Sequence, residues 1–401
     1  MSNSSPAVAA QDAPVFERFD QERMMLDPYA DFAQMRDLAP VVHVPAIGRY
    51  LLTTHAAVTS AENNPEIFTA HASRPTMVRA FGARPMLRKD DPQHAVERGA
   101  INPTLRPKPV HETWSPHFRE NVEHWLDRLE EIGPDNADLN RDFAVPVASK
   151  NLLDLLGLPK AVDVRDVARW STDFIAGIGN VLDDSEIWAR CDRSQAEAHA
   201  VLDELLPHLT REPDASITSH LLQVGLDEQT VRANVFLTIS GGMNEPQHMI
   251  TNLVWALSGH PDQLDLIRNG QVSWGDAFEE AVRWLSPIGM LPRETTRDVD
   301  WAGHHIPAGA DIGLLLASAN RDEAVFADAN SFNIERNARG HVGFGNGVHM
   351  CAGRWAAKTA VGEVALPMLY ARFPNLRVDE RRMTTWEGWV FRGVTSLPVT
   401  W

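Results

Sequence analysis

Apolar positions recur with two different periods along the chain, and the two periods predict two kinds of element. Between about residue 90 and residue 270 they follow helical spacing, with breaks at prolines and glycines. VVHVPAIGRYLLTTH from residue 41 and WAGHHIPAGADIGLLLA from residue 301 instead predict pairs of strands joined by turns, and residues 389–401 alternate like strands. We therefore expect a mainly α-helical fold with small β-sheets.

The longest predicted helix covers residues 227–257 and carries little charge, which is typical of a helix buried on nearly all sides. Its middle holds the segment Gly241-Gly242-Met243-Asn244-Glu245-Pro246. Proline lacks a backbone N–H and clashes with the carbonyl four residues earlier, so the sequence predicts a break in the helix at this point. A break inside a buried helix commonly marks a functional site.

Composition narrows the class of protein. The 401 residues are 44% hydrophobic, enough for a large core, and no apolar run approaches the ~18 residues of a membrane span. The 54 acidic and 37 basic residues give a net charge of −17, which disfavours binding to nucleic acid or anionic lipid. With only Cys191 and Cys351, neither a disulfide framework nor a cysteine zinc site can form, and a cytoplasmic location is expected.

The first 14 residues are small and polar and include two prolines. We expect residues 1–14 to form a disordered arm, because they offer too few apolar side chains for a core. No linker, repeat or low-complexity tract divides the remainder, so residues 15–401 are expected to form a single domain.

Cys351 closes a glycine-rich loop and precedes a helical pattern. Gly343, Gly345 and Gly347 allow the loop backbone to lie against a large planar group, while amide N–H groups beside the sulfur stabilise its negative charge. A thiol at the start of a helix is also expected to ionise easily. The alternative is a small cysteine packed behind a turn, the usual environment of a free cysteine.

This loop resembles the haem-binding loop of the cytochrome P450 family, F-x-x-G-x-[HR]-x-C-x-G. The matching residues are Phe344, Gly347, His349, Cys351 and Gly353. Two further segments resemble the E-x-x-R and F-x-x-x-R motifs of the family, with the charged residues Glu280, Arg283 and Arg336. The resemblance implies that these three side chains form a structural ion cluster, because a buried ion cluster fixes one arrangement of the chain.

The resemblance also implies the cytochrome P450 fold and a haem b cofactor with the Cys351 thiolate as axial ligand. The thiolate pushes electron density onto the iron, which favours cleavage of O2 and insertion of one oxygen atom into the substrate. The two haem carboxylates need paired donors. The residues implied to bind the cofactor are Cys351, His94, Arg98, Arg293, His349, Phe344 and Gly345.

Most members of the family carry an acid and a threonine in the buried helix, and these residues deliver protons during oxygen activation. Here Asn244 stands at the acid position and Glu245 at the threonine position. Burial raises the pKa of a carboxyl group, and the protonated group can donate as a hydroxyl does. We hypothesise that Glu245 delivers protons and that Asn244 orients water. The alternative is that Glu245 only satisfies a backbone group released by Pro246.

The substrate pocket is inferred from a narrower resemblance. The G-x-M-x-E-P segment and residues 386–401 resemble the guaiacol O-demethylase branch of the family, which surrounds a small aromatic ether with phenylalanines. One of those phenylalanines is replaced here by isoleucine. The side chains expected to line the pocket are Phe81, Phe174, Ile178, Met243, Ile288, Leu291 and Phe391. None is cationic, which argues against a carboxylate-bearing substrate unless Arg74, Arg84 or Arg392 reaches the pocket.

Three functions follow from these resemblances. The first is oxidation of a small apolar or aromatic substrate, which includes O-demethylation of a methoxyaromatic. The second is hydroxylation of a larger apolar substrate such as a terpenoid or steroid. The third is a haem protein that senses or binds a ligand without catalysis.

Electrons are expected from a separate partner, because no flavin or iron–sulfur motif accompanies the loop. That partner is ferredoxin with ferredoxin reductase, or a reductase with fused flavin and iron–sulfur centres. Residues 335–358 offer a positively charged docking face, which an acidic partner would complement. Its charged residues are Arg336, Arg339, Arg354 and Lys358 against Glu335. Alternatively, these cations only neutralise the haem carboxylates.

Overall fold

Helices make up most of the molecule. The computed structural model describes residues 10–71, 73 and 76–401. In chain order the helices are α1 (Gln21–Leu26), α2 (Tyr29–Leu38), α3 (His55–Glu62), α4 (Thr76–Phe81), α5 (Gln93–Leu105), α6 (Pro107–Pro109), α7 (Ser115–Ile132), α8 (Val145–Leu156), α9 (Val164–Gly179), α10 (Ser185–Arg211), α11 (Ile217–Gln223), α12 (Glu228–Gly259), α13 (Pro261–Arg268), α14 (Trp274–Leu285), α15 (Leu316–Ala319), α16 (Arg354–Ala357) and α17 (Leu366–Arg372). Wider helical turns at Val110–Trp114, Asn140–Ala144 and Lys358–Ala365 lead directly into α7, α8 and α17.

The strands form small sheets. They are β1 (Gln11–Asp12), β2 (Val41–Val44), β3 (Arg49–Leu52), β4 (Phe68–Thr69), β5 (Leu291–Thr295), β6 (Val299–Trp301), β7 (His304–Ile306), β8 (Asp311–Leu314), β9 (Arg377–Val378), β10 (Thr385–Glu387), β11 (Gly393–Ser396) and β12 (Val399–Thr400). The largest sheet has the order β2-β3-β8-β5-β4, and the others join β1-β7-β6, β10-β11 and β12-β9. The mainly helical fold with small sheets is therefore confirmed.

The two predicted strand pairs have different outcomes. The first is confirmed, because β2 and β3 are antiparallel with Val41 opposite Leu52, around a turn at Gly48. The second is confirmed as strand, turn and strand, because β7 and β8 flank the turn at Pro307 and Gly309, although the two strands lie in different sheets. β7 joins β6 and β1, whereas β8 lies parallel to β3 and antiparallel to β5 in the larger sheet. Hydrogen bonding to distant strands decides this division, and local alternation cannot show it.

The segment expected to form a disordered arm is partly ordered. Residues 1–9 lie outside the described residues. Further along, β1 pairs in parallel with β7, Gln11 opposite His304, and the His43 N–H donates to the Pro14 carbonyl at 2.9 Å. The expectation of disorder is wrong from β1 onward, because backbone hydrogen bonds to two sheets hold this part of the chain.

Helix α12 is the long buried helix predicted from the sequence, and it packs against α8, α9 and β11. The predicted break is wrong, because residues 241–246 remain helical within the 32 residues of α12. Packing on several sides offsets the local cost of Pro246, which is about 3 kcal/mol in a helix interior. The Thr251 hydroxyl, for example, donates to the Val394 carbonyl of β11 at 3.0 Å. Within the described ranges no helix, α12 included, is long and apolar enough to cross a membrane.

A buried ion cluster fixes the irregular segment between α15 and the loop of Cys351. Glu280 and Arg283, one turn apart on α14, have fully buried side chains, and Arg283 Nε lies 2.7 Å from a Glu280 carboxylate oxygen. Arg336 Nε lies 3.3 Å from the other oxygen. Arg283 also donates to the carbonyls of Asn320 and Ala329 at 2.8 and 2.9 Å. One guanidinium therefore ties α14 to two points of this segment.

Replacing Glu280 with glutamine leaves Arg283 buried without a countercharge. We expect Glu280→Gln to lower the free energy of unfolding by about 3–5 kcal/mol, measured by urea denaturation followed by circular dichroism. Glu335→Gln removes an exposed acid close to Arg336 in sequence. This control is expected to change the unfolding free energy by less than about 0.5 kcal/mol. Equal effects of the two substitutions would show that the buried cluster does not hold the fold.

Candidate active site

The loop of Cys351 is closed by its own backbone hydrogen bonds. The Cys351 N–H donates to the Phe344 carbonyl at 2.8 Å, and the Gly345 N–H donates to the Val342 carbonyl at 2.8 Å. At Gly347 φ is 64°, and a Cβ would come within 2.4 Å of a backbone carbonyl oxygen of α3. Only glycine fits this position, because the loop and α3 approach so closely.

A cavity of about 310 Å³ is lined both by this loop and by α12. Cys351 exposes its side chain to the cavity, and apolar side chains of α5, α8 and α12 form much of the wall. Burial raises the pKa of the Cys351 thiol, although the Gly353 N–H and Arg98 act in the opposite direction. For the free thiol, lost hydration therefore outweighs the nearby donors. A coordinated metal ion deprotonates a thiol outright.

One edge of the cavity is rich in cationic and imidazole side chains. His94 and Arg98 of α5, Arg293 of β5 and His349 of the loop all line it. The rings of His94 and His349 lie 4.2 Å apart, and Arg98 donates to the Met350 carbonyl. Burial, followed by the charge of Arg293, lowers the pKa of His349 to about 3. His349 is therefore neutral and offers one ring N–H to an acceptor.

This edge fits the two carboxylates of a haem. Arg293 is only 4% exposed, and the Nε2 atom of His349 is buried without a hydrogen-bond partner among the described residues. Buried donors of this kind need acceptors, and carboxylates supply the strongest ones. The structure brings to this one cavity all the side chains and loop positions that the resemblance assigns to the cofactor, namely Cys351, His94, Arg98, Arg293, His349, Phe344 and Gly345.

Glu245 of α12 lines the same cavity. Both of its carboxyl oxygens are buried, and neither accepts a hydrogen bond from a described residue. Burial raises the pKa of Glu245 to about 8, although the neighbouring Asn244 amide favours the charged form. Glu245 is therefore protonated at neutral pH. Asn244 itself does not belong to the cavity wall.

The residues expected to line the substrate pocket separate into two groups. Ile288 and Leu291 line the cavity. Phe81 and Phe174 pack edge to face at 5.7 Å and are 1% and 0% exposed, within the hydrophobic core. The other expected residues outside the cavity wall are Ile178, Met243 and Phe391. The three expected phenylalanines are therefore not wall residues, and the aromatic part of a largely aliphatic wall comes from Phe118, Phe278 and Phe344.

Leu237 and Met249 line the cavity but belong to none of the sequence motifs. Leu237, Gly241, Glu245 and Met249 all line the cavity and lie four residues apart on α12. Residues at this spacing share one helix face, so the spacing from Glu245 is the signal by which the others can be found. Met86 and Leu87 also line the cavity. No motif marks these two, which lie in a short 3-10 helix, Met86–Arg88, before α5.

Two charged residues beside the cationic edge carry no sequence signal. Glu62 ends α3 against the Cys351 loop, and burial raises its pKa to about 7. Arg88 precedes α5, and burial lowers its pKa to about 9. Distant parts of the chain create both environments, because the charge of Arg293 acts on each of these residues.

Known proteins similar to this chain come from one family. The family model described as Cytochrome P450 matches residues 276–373. A methyl-branched lipid omega-hydroxylase of Mycobacterium bovis is 29% identical over 402 residues, covering 92% of this chain and 90% of the relative. A vitamin D(3) 25-hydroxylase of Pseudonocardia autotrophica is 30% identical over 390 residues, covering 93% of this chain and 94% of the relative.

The fold is also similar to solved structures. The crystal structure of P450BioI in complex with hexadec-9Z-enoic acid ligated acyl carrier protein matches with a TM-score of 0.86 and 25% sequence identity. The match covers 95% of this chain and 100% of that chain. The helices and small sheets therefore have the same arrangement over nearly the whole length.

Proposed function

The chain belongs to the cytochrome P450 family, and from this premise we propose that it hydroxylates an apolar, largely aliphatic molecule in the cavity beside Cys351. It is a monooxygenase with haem b as cofactor and a cysteine thiolate as axial ligand, which decides against a non-catalytic haem protein. Cys351 is the proposed ligand, since Cys191 is buried in the core and burial raises its pKa to about 11. When bound, the haem supplies O2 activation with two electrons and oxygen insertion into a C–H bond.

The aliphatic wall of the cavity is the observation that carries this proposal. Met86, Leu87, Leu237, Ile288 and Leu291 contribute to it, and they come from three separate parts of the chain. Such side chains hold an apolar ligand through burial, at about 25 cal/mol per Å² of apolar surface. Two relatives have names that specify hydroxylation of a methyl-branched lipid and of vitamin D(3), which supports an apolar substrate here.

O-demethylation of a methoxyaromatic is the second candidate. Phe391 pairs through its backbone with Ile288, which belongs to the cavity wall. An aromatic residue is therefore the immediate neighbour of a wall residue. This position matches one of the phenylalanines that the narrower resemblance assigns to an aromatic pocket.

We propose Glu245 as the proton donor of the reaction. Its protonated carboxyl lies in an otherwise largely apolar wall, in the same cavity as Cys351. The two groups are close enough for the charge of Glu245 to raise the pKa of the thiol. A general acid acts within hydrogen-bond reach of the reacting atoms, directly or through one water molecule. Asn244, next to Glu245 on α12, is proposed to orient water toward it.

The groove on the far side of the Cys351 loop is the proposed docking surface of an electron-donating ferredoxin. Phe344 and Gly345 line both the cavity and this groove, so the loop forms the partition between the two spaces. Trp355 is 38% exposed in the groove, and the Arg354 guanidinium lies 5.0 Å from the centre of its ring. Exposed tryptophan and arginine are typical of interface hot spots.

Fewer cations are available in this groove than the sequence count indicates. Lys358 pairs with Glu279 at 2.8 Å, and Arg336 belongs to the buried ion cluster. Arg339 and Arg354 remain for an acidic partner. Asp276 also lines the groove. Arg339 and Arg354 outnumber this acid, so on an acidic chain the face keeps a local positive charge that attracts a ferredoxin of negative charge.

Titration of the ferric protein tests the substrate class. We expect 1-dodecanol to shift the Soret band to high spin at a concentration at least about tenfold lower than guaiacol requires, because the wall is aliphatic. Leu237→Ala is expected to weaken dodecanol binding about tenfold. The control Phe81→Leu alters a core side chain and is expected to leave binding unchanged. If guaiacol binds more tightly and formaldehyde is released on turnover, the reaction is O-demethylation and the proposal of hydroxylation is wrong.

Glu245→Gln removes the proposed proton donor while keeping the shape of the side chain. We expect product formation to slow at least about tenfold, within the range of general acid catalysis, while more of the NADPH is consumed to give hydrogen peroxide. Product and peroxide per NADPH are measured with a surrogate ferredoxin system. The control Glu228→Gln changes an exposed acid at the start of α12. Unchanged coupling in Glu245→Gln would show that Glu245 does not deliver protons.

Trp355→Ala tests the docking surface. We expect the KM for an acidic ferredoxin to rise about tenfold or more, because a central tryptophan commonly contributes about 2 kcal/mol to an interface. Substrate affinity, measured by the Soret shift, is expected to stay the same. Met383→Ala removes another exposed apolar side chain and serves as the control. A KM that does not change would move the docking surface away from this groove.

A further inference from the structure

Two guanidinium groups converge on one carbonyl oxygen at the cationic edge of the cavity. Arg88 donates from Nη1 to the Pro292 carbonyl at 3.3 Å, and Arg293 donates from Nη1 to the same oxygen at 2.9 Å. Their neighbours Leu87 and Leu291 both line the cavity, as does Arg293 itself. Like charges held this close repel each other. The carboxyl groups of Glu62 and Asp90 act on Arg293, so the group that needs a compensating anion is Arg88.

The described residues do not supply that anion to Arg88. The charges that act on it are those of Arg293, Arg49 and Arg84, all positive. Burial, followed by these cations, lowers the pKa of Arg88 to about 9. A buried guanidinium without an anion is costly, and protein interiors normally pair it with a carboxylate.

Arg88 is also an additional charge beyond what a haem requires. Arg98 and Arg293 line the cavity and match the two negative charges of its carboxylates, with His94 and His349 as further hydrogen-bonding groups. Arg88 belongs to the same cluster, because its charge contributes to lowering the pKa of His349. Arg392, in contrast, already donates to the carbonyls of three other residues, at 2.7 to 2.9 Å.

We propose that Arg88 and Arg293 together form a carboxylate-binding pair at the edge of the cavity. Each guanidinium keeps N–H donors beyond the one given to the Pro292 carbonyl, and an arginine commonly binds a carboxylate through two of them. The carboxylate belongs either to the haem or to an amphipathic acid whose apolar chain occupies the aliphatic cavity. The second source rests on the proposed function and runs against the expectation from sequence, which disfavours a carboxylate-bearing substrate unless Arg74, Arg84 or Arg392 reaches the pocket.

Two measurements on the haem-loaded protein distinguish these sources. The first is the rate at which haem transfers to excess apomyoglobin. The second is the ratio of affinities for dodecanoic acid and 1-dodecanol, which share a chain and differ in the carboxylate, read from the Soret shift. Both are made on the unmodified protein, Arg88→Gln, Arg88→Lys and the control Arg232→Gln. Arg232 is a similarly buried arginine, but it pairs with Asp203 and Glu228.

A haem carboxylate as the source predicts haem loss at least about tenfold faster in Arg88→Gln, with an unchanged affinity ratio. A substrate carboxylate predicts at least about tenfold weaker binding of dodecanoic acid alone. In either case Arg88→Lys, which keeps the charge but lacks the planar fork, is expected to recover only part of the loss. If Arg88→Gln does not fold, Arg88→Lys decides between the same outcomes.

Unchanged haem loss together with an unchanged affinity ratio overturns the proposal. A similar change in Arg232→Gln also overturns it, because the effect is then one of general stability. Failure of the proposed function gives a different experimental result. If the unmodified protein binds neither ligand and hydroxylates neither, the aliphatic substrate class is wrong, and haem loss alone decides the role of Arg88.

Discussion

The buried ion pair of Glu280 and Arg283 determines where the loop of Cys351 lies. Arg283 donates to the carbonyl of Asn320 at 2.8 Å, and the side-chain oxygen of Asn320 accepts the N–H of Val342 at 2.7 Å. The Val342 carbonyl then accepts the N–H of Gly345, inside the loop. A continuous series of hydrogen bonds therefore runs from α14 to the thiol-bearing loop. Such a series fixes a position well, because each buried group has one satisfactory partner.

Burial leaves some polar groups around the cavity neutral and others charged. It keeps the carboxyl of Glu245 protonated, with a pKa of about 8, and it keeps the ring of His349 neutral, with a pKa of about 3. It cannot neutralise Arg98 and Arg293, since guanidinium groups stay charged in proteins. The same dry cavity thus holds a neutral acid on α12 and a positive edge near β5. The positive edge has the charge and the donors that suit carboxylates, and the neutral acid carries a proton that it can donate.

The sequence allows the local features of this site to be predicted, because each depends on neighbours in the chain. The hairpin of β2 and β3, the long helix α12 and the glycine-rich loop of Cys351 all follow from short-range patterns. His94 and Arg98, four residues apart on α5, reach the cavity together for the same reason. The break predicted in α12 is wrong because contacts with other elements outweigh the preference of Pro246.

The sequence by itself determined a mainly helical chain with one thiol presented by a glycine-rich loop, since glycine spacing and apolar periodicity act locally. Only the tertiary structure decided which side chains form the cavity wall. Phe81 and Phe174 are apolar like Leu237, yet the first two pack in the core and Leu237 lines the cavity. The sequence also does not show that Arg88 and Arg293 converge on one carbonyl oxygen. Whether two distant residues meet depends on how separate elements pack, because burial and charge act through space and not along the chain.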